Sequence, residues 1–157
     1  MGSISDQPIA RDVTDVLQRM GITYRLKIAS AHRTPQKVFA VTREAEEREA
    51  LAIIAIAGKA AALPGLIAAS TRLPVIGVPV VTSELAGLDA LVSMTQTPKG
   101  IPVATMGLGK AGAQNAALLA SRIAAFSNPE VREKLAALVE EMAREVEDAE
   151  KRLIEQE

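Results

Sequence analysis

Two short runs constrain the fold more than anything else in this chain. Leu51-Ala52-Ile53-Ile54-Ala55-Ile56 and Leu73-Pro74-Val75-Ile76-Gly77-Val78-Pro79-Val80 are apolar almost without interruption. A strand with one wet face alternates apolar and polar residues; an unbroken apolar run suits a strand covered on both faces, as in a parallel sheet. Covering both faces takes helices on both sides, and helix-like segments do separate the runs. Tyr24-Arg25-Leu26-Lys27-Ile28 alternates like a strand with one polar face, and Ile101 to Leu108 reads as a last strand. Four strands are therefore expected, at 24–29, 51–56, 74–79 and 101–108. Strands alternating with helices at this spacing give an α/β sheet with right-handed crossovers.

The helices carry their own punctuation. Ile9, Val13, Val16, Leu17 and Met20 lie on one helical face, with Ser5 or Asp6 as a cap, Pro8 in the first turn and Gly21 as a stop. A second helix follows Pro35 and ends near Arg48. A third covers Leu66 to Ser70. Thr82-Ser83-Glu84 can cap a fourth through Leu85, Leu88, Leu91 and Val92, and Ala113 to Phe126 forms an Ala-rich fifth. Asn128-Pro129-Glu130 starts a sixth, with a seam at Val131, Leu135, Leu138, Met142, Val146, Ala149 and Leu153 close to heptad spacing. At 1.5 Å per residue it would extend roughly 40 Å, with Glu147/Lys151 and Asp148/Arg152 as i,i+4 pairs. An arm of this kind is expected to pack on a neighbouring subunit. Nothing divides the chain, so 1–157 reads as one domain, with a core over 1–126 and an amphipathic helix over 128–157.

Composition removes several functions. The net charge of −1 makes no electrostatic case for nucleic acid or a membrane surface. With no Cys and a single His, thiolate metal sites, Cys nucleophiles and His-rich metal sites are excluded. No apolar run has the length of a membrane span and no signal-peptide pattern opens the chain, so the expectation is a soluble, cytoplasmic protein. Aromatics are few, which leaves a core of small aliphatic residues that would gain from further burial in an oligomer.

That single histidine, His32, lies in Ser30-Ala31-His32-Arg33-Thr34-Pro35, between the 24–29 segment and the helix at Pro35. An imidazole, a guanidinium and two hydroxyls thus share a strand-to-helix loop, where open α/β sheets bind ligands. Gly2-Ser3-Ile4-Ser5-Asp6 is a second such loop ahead of a helix N-terminus, suited to an anion. Ala57 to Gly65 is a third. Gly109-Lys110 invites a phosphate-loop reading, but the required spacing is absent.

Taken together these blocks are specific. Gly2-Ser3-Ile4-Ser5-Asp6, the Ser30–Pro35 hexapeptide, Leu63-Pro64-Gly65, Pro74 to Pro79, Gly87-Leu88-Asp89, Gln96 and Pro98, Ile101 to Thr105 and Gly109 to Gly112 occur in the order found in the PurE family, which the chain closely resembles over roughly residues 1–125. PurE proteins are N5-carboxyaminoimidazole ribonucleotide mutases of purine biosynthesis. The resemblance implies a flavodoxin-like three-layer α/β/α fold and a homo-octamer with active sites at subunit contacts. It also implies a nucleotide monophosphate substrate, with no metal and no organic cofactor. It assigns His32 as the general acid/base, Arg33 and Ser3 to the phosphate and Asp6 to the ribose hydroxyls. Ser30, Ala57, Gly58 and Leu63 would line the pocket.

The chain departs from the family at several points. PurE proteins carry a strand directly before the Gly-Ser-x-Ser-Asp block, between the strands matching 24–29 and 51–56; here Met1 stands there. The slot so left must close up or be filled. Ile56 and Lys59 stand where the family has glycines, and Ala62 where it has a histidine; all are altered pocket positions, with Ile56 expected to fill space near the ligand. Thr97 and Gln7 replace a usual Met and Trp. These changes imply weakened or lost turnover. The alternative is an engineered or diverged member that serves as a scaffold for folding or self-assembly. Lys59 in an apolar pocket would also be an amine nucleophile; otherwise it is a solubilising residue at a helix start.

Overall fold

The computed structural model describes residues 1–155. A 3-10 turn, Ile4–Asp6, leads into α1 (Gln7–Arg19). α2 (Pro35–Glu47), β1 (Ile53–Gly58), α3 (Ala62–Ala68) and β2 (Val75–Val80) follow, then α4 (Leu88–Thr95), β3 (Ala104–Thr105), α5 (Gly109–Ala124) and α6 (Pro129–Ile154). The strands form a parallel sheet in the order β1-β2-β3, with Ile53 level with Val75 and Ile76 level with Ala104.

The expected three layers are present. Ile56, Ile76, Val78 and Val80 pack against Ala10, Val13 and Leu17 of α1 and Ala113, Ala116 and Ala117 of α5. On the other face Ala55, Ala57 and Val75 meet Val38 of α2, Leu63 and Ile67 of α3, and Ala90 and Met94 of α4. β2 is buried along its whole length, as its unbroken apolar run requires. Alanines let α1 and α5 lie close together, so small residues still yield a dry core.

Two of the four expected strands differ. Residues 22–29 are extended but join no ladder except near Met1, because a strand's width separates them from β1. The final strand shortens to Ala104–Thr105; Pro102 has no N–H to give a ladder. Helix starts also differ. Asp6 precedes α1 without a side-chain cap, and Ser3 instead caps the 3-10 turn. α3 begins at Ala62, ahead of Leu66, and α5 at Gly109, ahead of Ala113. Residues 84–87 form a turn, so Gly87, at φ +83°, precedes α4 in place of the expected Thr82–Glu84 cap.

α6 is capped as expected: Asn128 Oδ1 accepts from the N–H groups of Glu130 and Val131 at 3.1 and 3.3 Å. Arg19 of α1 and Glu141 of α6 form an ion pair. Lys151 pairs with Asp148 at i,i+3 and Arg152 donates to the Asp148 carbonyl, so neither expected i,i+4 pair forms. The expected run of α6 beyond residue 155 lies outside the described residues. Among those residues, no helix is long and apolar enough to cross a membrane.

The start of α5 is pressed against the loop before it. A Cβ on Gly112 would overlap the Gly107 carbonyl oxygen. Backbone, unlike a flexible side chain, cannot step aside, so Gly112→Ala is expected to lower stability by about 2–3 kcal/mol, read from urea unfolding.

Candidate active site at the carboxyl edge of the sheet

The chain's first residues set the site. The Met1 ammonium donates to the Lys27 carbonyl at 2.9 Å, and the Ala29 N–H donates to the Met1 carbonyl at 3.0 Å. These two bonds place Met1 level with Ile28, in parallel register. On the other side the Gly2 N–H donates to the Ile56 carbonyl at 3.0 Å, which sets Gly2 level with Ala57. Ser3 therefore emerges one residue on, between Ser30 and Gly58, about one strand spacing of 4.8 Å from each. The three loops singled out from the sequence thus meet at one edge.

Within the first loop a reciprocal cap fixes the backbone. The Ser3 N–H donates to Asp6 Oδ2 at 2.9 Å, and the Ser5 N–H to Ser3 Oγ at 3.3 Å. Asp6 is only 3% exposed, and Ser5 Oγ donates to its other oxygen at 3.4 Å. In this state Asp6 acts first on its own loop. A carboxylate has about four lone-pair sites, so acceptor capacity is left over. Burial lowers the pKa of the Met1 ammonium beside this loop, against the opposing pull of Asp6.

The His32 loop is built around Thr34, to which sequence reasoning gave no role. The Ser30 N–H donates to Thr34 Oγ1 at 2.9 Å, and the Thr34 N–H returns to the Ser30 carbonyl at 2.9 Å. Arg33 approaches Ser30 Oγ through its N–H at 3.3 Å and its Nε at 3.5 Å. The signal for this turn was a Thr just before a helix-starting proline. His32 and Arg33 project from it, exposed.

The third loop corrects several expectations. Ile56 faces the α1/α5 core and is 3% exposed, so it does not fill ligand space. The period of two along β1 sends its side chain to the opposite face from Ala57. Ala57 and Leu63 are themselves core residues of the α2/α3 face. They support the loop from below, and Leu63 reaches toward Gly2. A Cβ on Gly58 would run into Thr82 Oγ1, so this glycine lets the loops after β1 and β2 touch. Ser93 Oγ, also overlooked in the sequence, holds the Ala60 carbonyl at 2.6 Å. Ala62 is half-buried at the start of α3. Lys59 is exposed, which removes the desolvation that a nucleophilic lysine needs.

The family model described as AIR carboxylase matches residues 1–145. The chain belongs to the AIR carboxylase, or PurE, family. It is 49% identical to the N5-carboxyaminoimidazole ribonucleotide mutase of Pyrococcus horikoshii, over 99% of this chain and 86% of that protein. To the mutase of Thermotoga maritima it is 48% identical over 98% and 88%, and to that of Escherichia coli K12 47% identical over 86% and 80%. The crystal structure of Treponema denticola PurE superposes with a TM-score of 0.85 at 32% identity, over 98% of this chain and 94% of that one.

Lys59 holds φ at +55°, a region costly for any residue with a Cβ. Lys59→Gly is expected to raise stability by about 0.5–1 kcal/mol, the relief of strain exceeding the entropy cost of glycine; thermal unfolding reads it. Lys27 and Glu44 join the 22–29 segment to α2 at 2.9 Å. That hydrogen bond from Lys27, with Arg48 adding to it, holds the Glu44 carboxyl below the usual glutamate range. The linkage is therefore complete above that range and lost as pH falls through the lowered value. Amide resonances of residues 22–29 should shift at that acid step in the native chain and not in Glu44→Gln.

Proposed function

We propose that this chain is an N5-carboxyaminoimidazole ribonucleotide mutase, moving a carboxylate from the exocyclic nitrogen of an aminoimidazole ribonucleotide to ring carbon C4 in purine biosynthesis. The observation that carries this reading is the convergence of the Ser3–Asp6, Ser30–Thr34 and Gly58–Ala61 loops at one sheet edge, with His32 and Arg33 exposed there. The similar proteins of Pyrococcus horikoshii and Thermotoga maritima are named as mutases of this kind, which supports the reading.

His32 gives a proton to the exocyclic nitrogen as the N–C bond breaks and CO₂ leaves. C4 then attacks CO₂ and forms the new C–C bond. His32 takes the C4 proton and is ready for another cycle, so protons balance. Arg33 suits the substrate phosphate through its planar fork of donors, and Ser3 adds a hydroxyl from across the edge. The free lone pairs of Asp6 suit the ribose hydroxyls. Ser30 and Gly58 flank the base. The reading invokes no cofactor. Since Ala62 supplies no second imidazole, acid–base work rests on His32.

A homo-oligomer, an octamer by family resemblance, completes the reading. Its support within the chain is the outer part of α6, where Val139, Met142, Val146, Leu153 and Ile154 are exposed. A neighbouring subunit would cover this seam and wall off the open edge, keeping CO₂ near C4.

The test is conversion of N5-carboxyaminoimidazole ribonucleotide to the C4-carboxylated product. The native chain should turn over, and His32→Asn should lose about 10²–10⁴ of that rate with its fold intact by circular dichroism. Native-chain turnover at the uncatalysed rate would sink the enzyme reading and leave the scaffold alternative.

A further inference from the structure

The loop after β1 carries backbone strain that the other two loops of the candidate site lack. Lys59 and Ala61 have φ of +55° and +39°, the left-handed region that is costly for any residue with a Cβ. Ala61 is buried, but Lys59 and Ala60 are exposed, so the tip of the loop has no packing on the core. The Ala61 N–H donates to the Gly58 carbonyl at 3.1 Å, a bond internal to the loop. Among the described residues, one hydrogen bond ties Lys59 or Ala60 to another element. Ser93 Oγ donates to the Ala60 carbonyl at 2.6 Å, from 33 residues along the chain.

The donor stands on a rigid support. Ser93 is half-buried in the second turn of α4. Met94 beside it and Ala90, three residues before, are fully buried in the core with Leu63 and Ile67. Hydroxyls on helices often turn back to a carbonyl of their own helix. Thr42, Thr95 and Ser121 do so here. Ser93 instead reaches off its helix to the loop. The hydroxyl thus has a fixed origin and a strained target, and α4 itself does not need it.

We propose that Ser93 is a positioning residue of the carboxylate transfer: through the Ala60 carbonyl it holds the Gly58–Ala61 loop where Gly58 meets the substrate's base. This rests on the mutase reading, which puts the base between Ser30 and Gly58. The phosphate end has its own supports. The hydrogen bonds that shape the Ser3 and Arg33 loops lie within those loops and do not involve α4. Loss of the Ser93 hydroxyl therefore loosens one end of the substrate and not the other. A base free to shift misaligns C4 and the exocyclic nitrogen against His32, and the chemical step is sensitive to such misplacement.

The experiment compares the native full chain with Ser93→Ala and Ser93→Thr. Calorimetry gives the affinities for aminoimidazole ribonucleotide and for ribose 5-phosphate. Their ratio reads contacts to the base alone and needs no turnover. We expect the native chain to prefer the nucleotide, and Ser93→Ala to cut that preference about fivefold with ribose 5-phosphate binding unchanged. With N5-carboxyaminoimidazole ribonucleotide as substrate, kcat of Ser93→Ala should fall at least about tenfold, while KM rises no more than about fivefold. Ser93→Thr keeps the hydroxyl and should recover most of both. Alanine suits a helix interior, so the melting temperature of Ser93→Ala should stay within about 2 °C of native. An unchanged preference in Ser93→Ala would overturn the assignment, and so would an equal loss of ribose 5-phosphate binding or no recovery in Ser93→Thr. A kcat that stays native in Ser93→Ala would overturn it too. If the native chain prefers the nucleotide but does not turn over, the mutase reading fails and the affinity ratio still decides for or against Ser93. A native chain with no such preference overturns both.

Discussion

Three backbone hydrogen bonds at the start of the chain hold the two halves of the molecule in register. Met1 is tied to Lys27 and Ala29, and Gly2 to Ile56. Among the described residues, no other main-chain bond links the 22–29 segment to the sheet. Without these bonds the carboxyl edge would lose the alignment that sets Ser3 beside Ser30 and Gly58. Each bond is modest by itself, about 1 kcal/mol net. Their effect is large because they act at the point where three loops leave the sheet.

Where Met1 and Gly2 bridge the edges, the loops beyond are positioned. Side-chain contacts add to these ladder bonds. Lys27 and Arg25 reach Glu44 of α2, and Tyr24 accepts from Gln18 of α1 at 2.8 Å. The segment is thus held to the helices on either side more than to the sheet. Solvated ion pairs of this kind are individually weak.

Much of this was legible in the residues. The apolar runs at 51–56 and 73–80 marked the central strands because burial on both faces demands them. Asn128-Pro129-Glu130 marked the start of α6 because an Asx side chain, a missing N–H and an acid each suit a helix N-terminus. The loop blocks marked the family and the edge that carries them. Less visible were features set by neighbours in space. Tyr24 to Ile28 alternates like a strand, yet a strand also needs a partner, and pattern carries no information about whether one is within reach. Ile56 read as a pocket residue because of what it replaces, and only the direction of its side chain along β1 sends it into the core. Thr34 and Ser93 carried no signal of their weight, since a hydroxyl's worth depends on which backbone group it meets.

By itself, then, the sequence determined the layered α/β fold, the family and the three loops of the candidate site, because burial patterns and local turn chemistry are written residue by residue. Only the tertiary structure decided that the 22–29 segment stands one strand away from β1, that Asp6 is engaged with its own loop, and that Lys59 is strained and exposed rather than buried and reactive. These depend on distances between segments far apart in the chain, which local propensity does not encode.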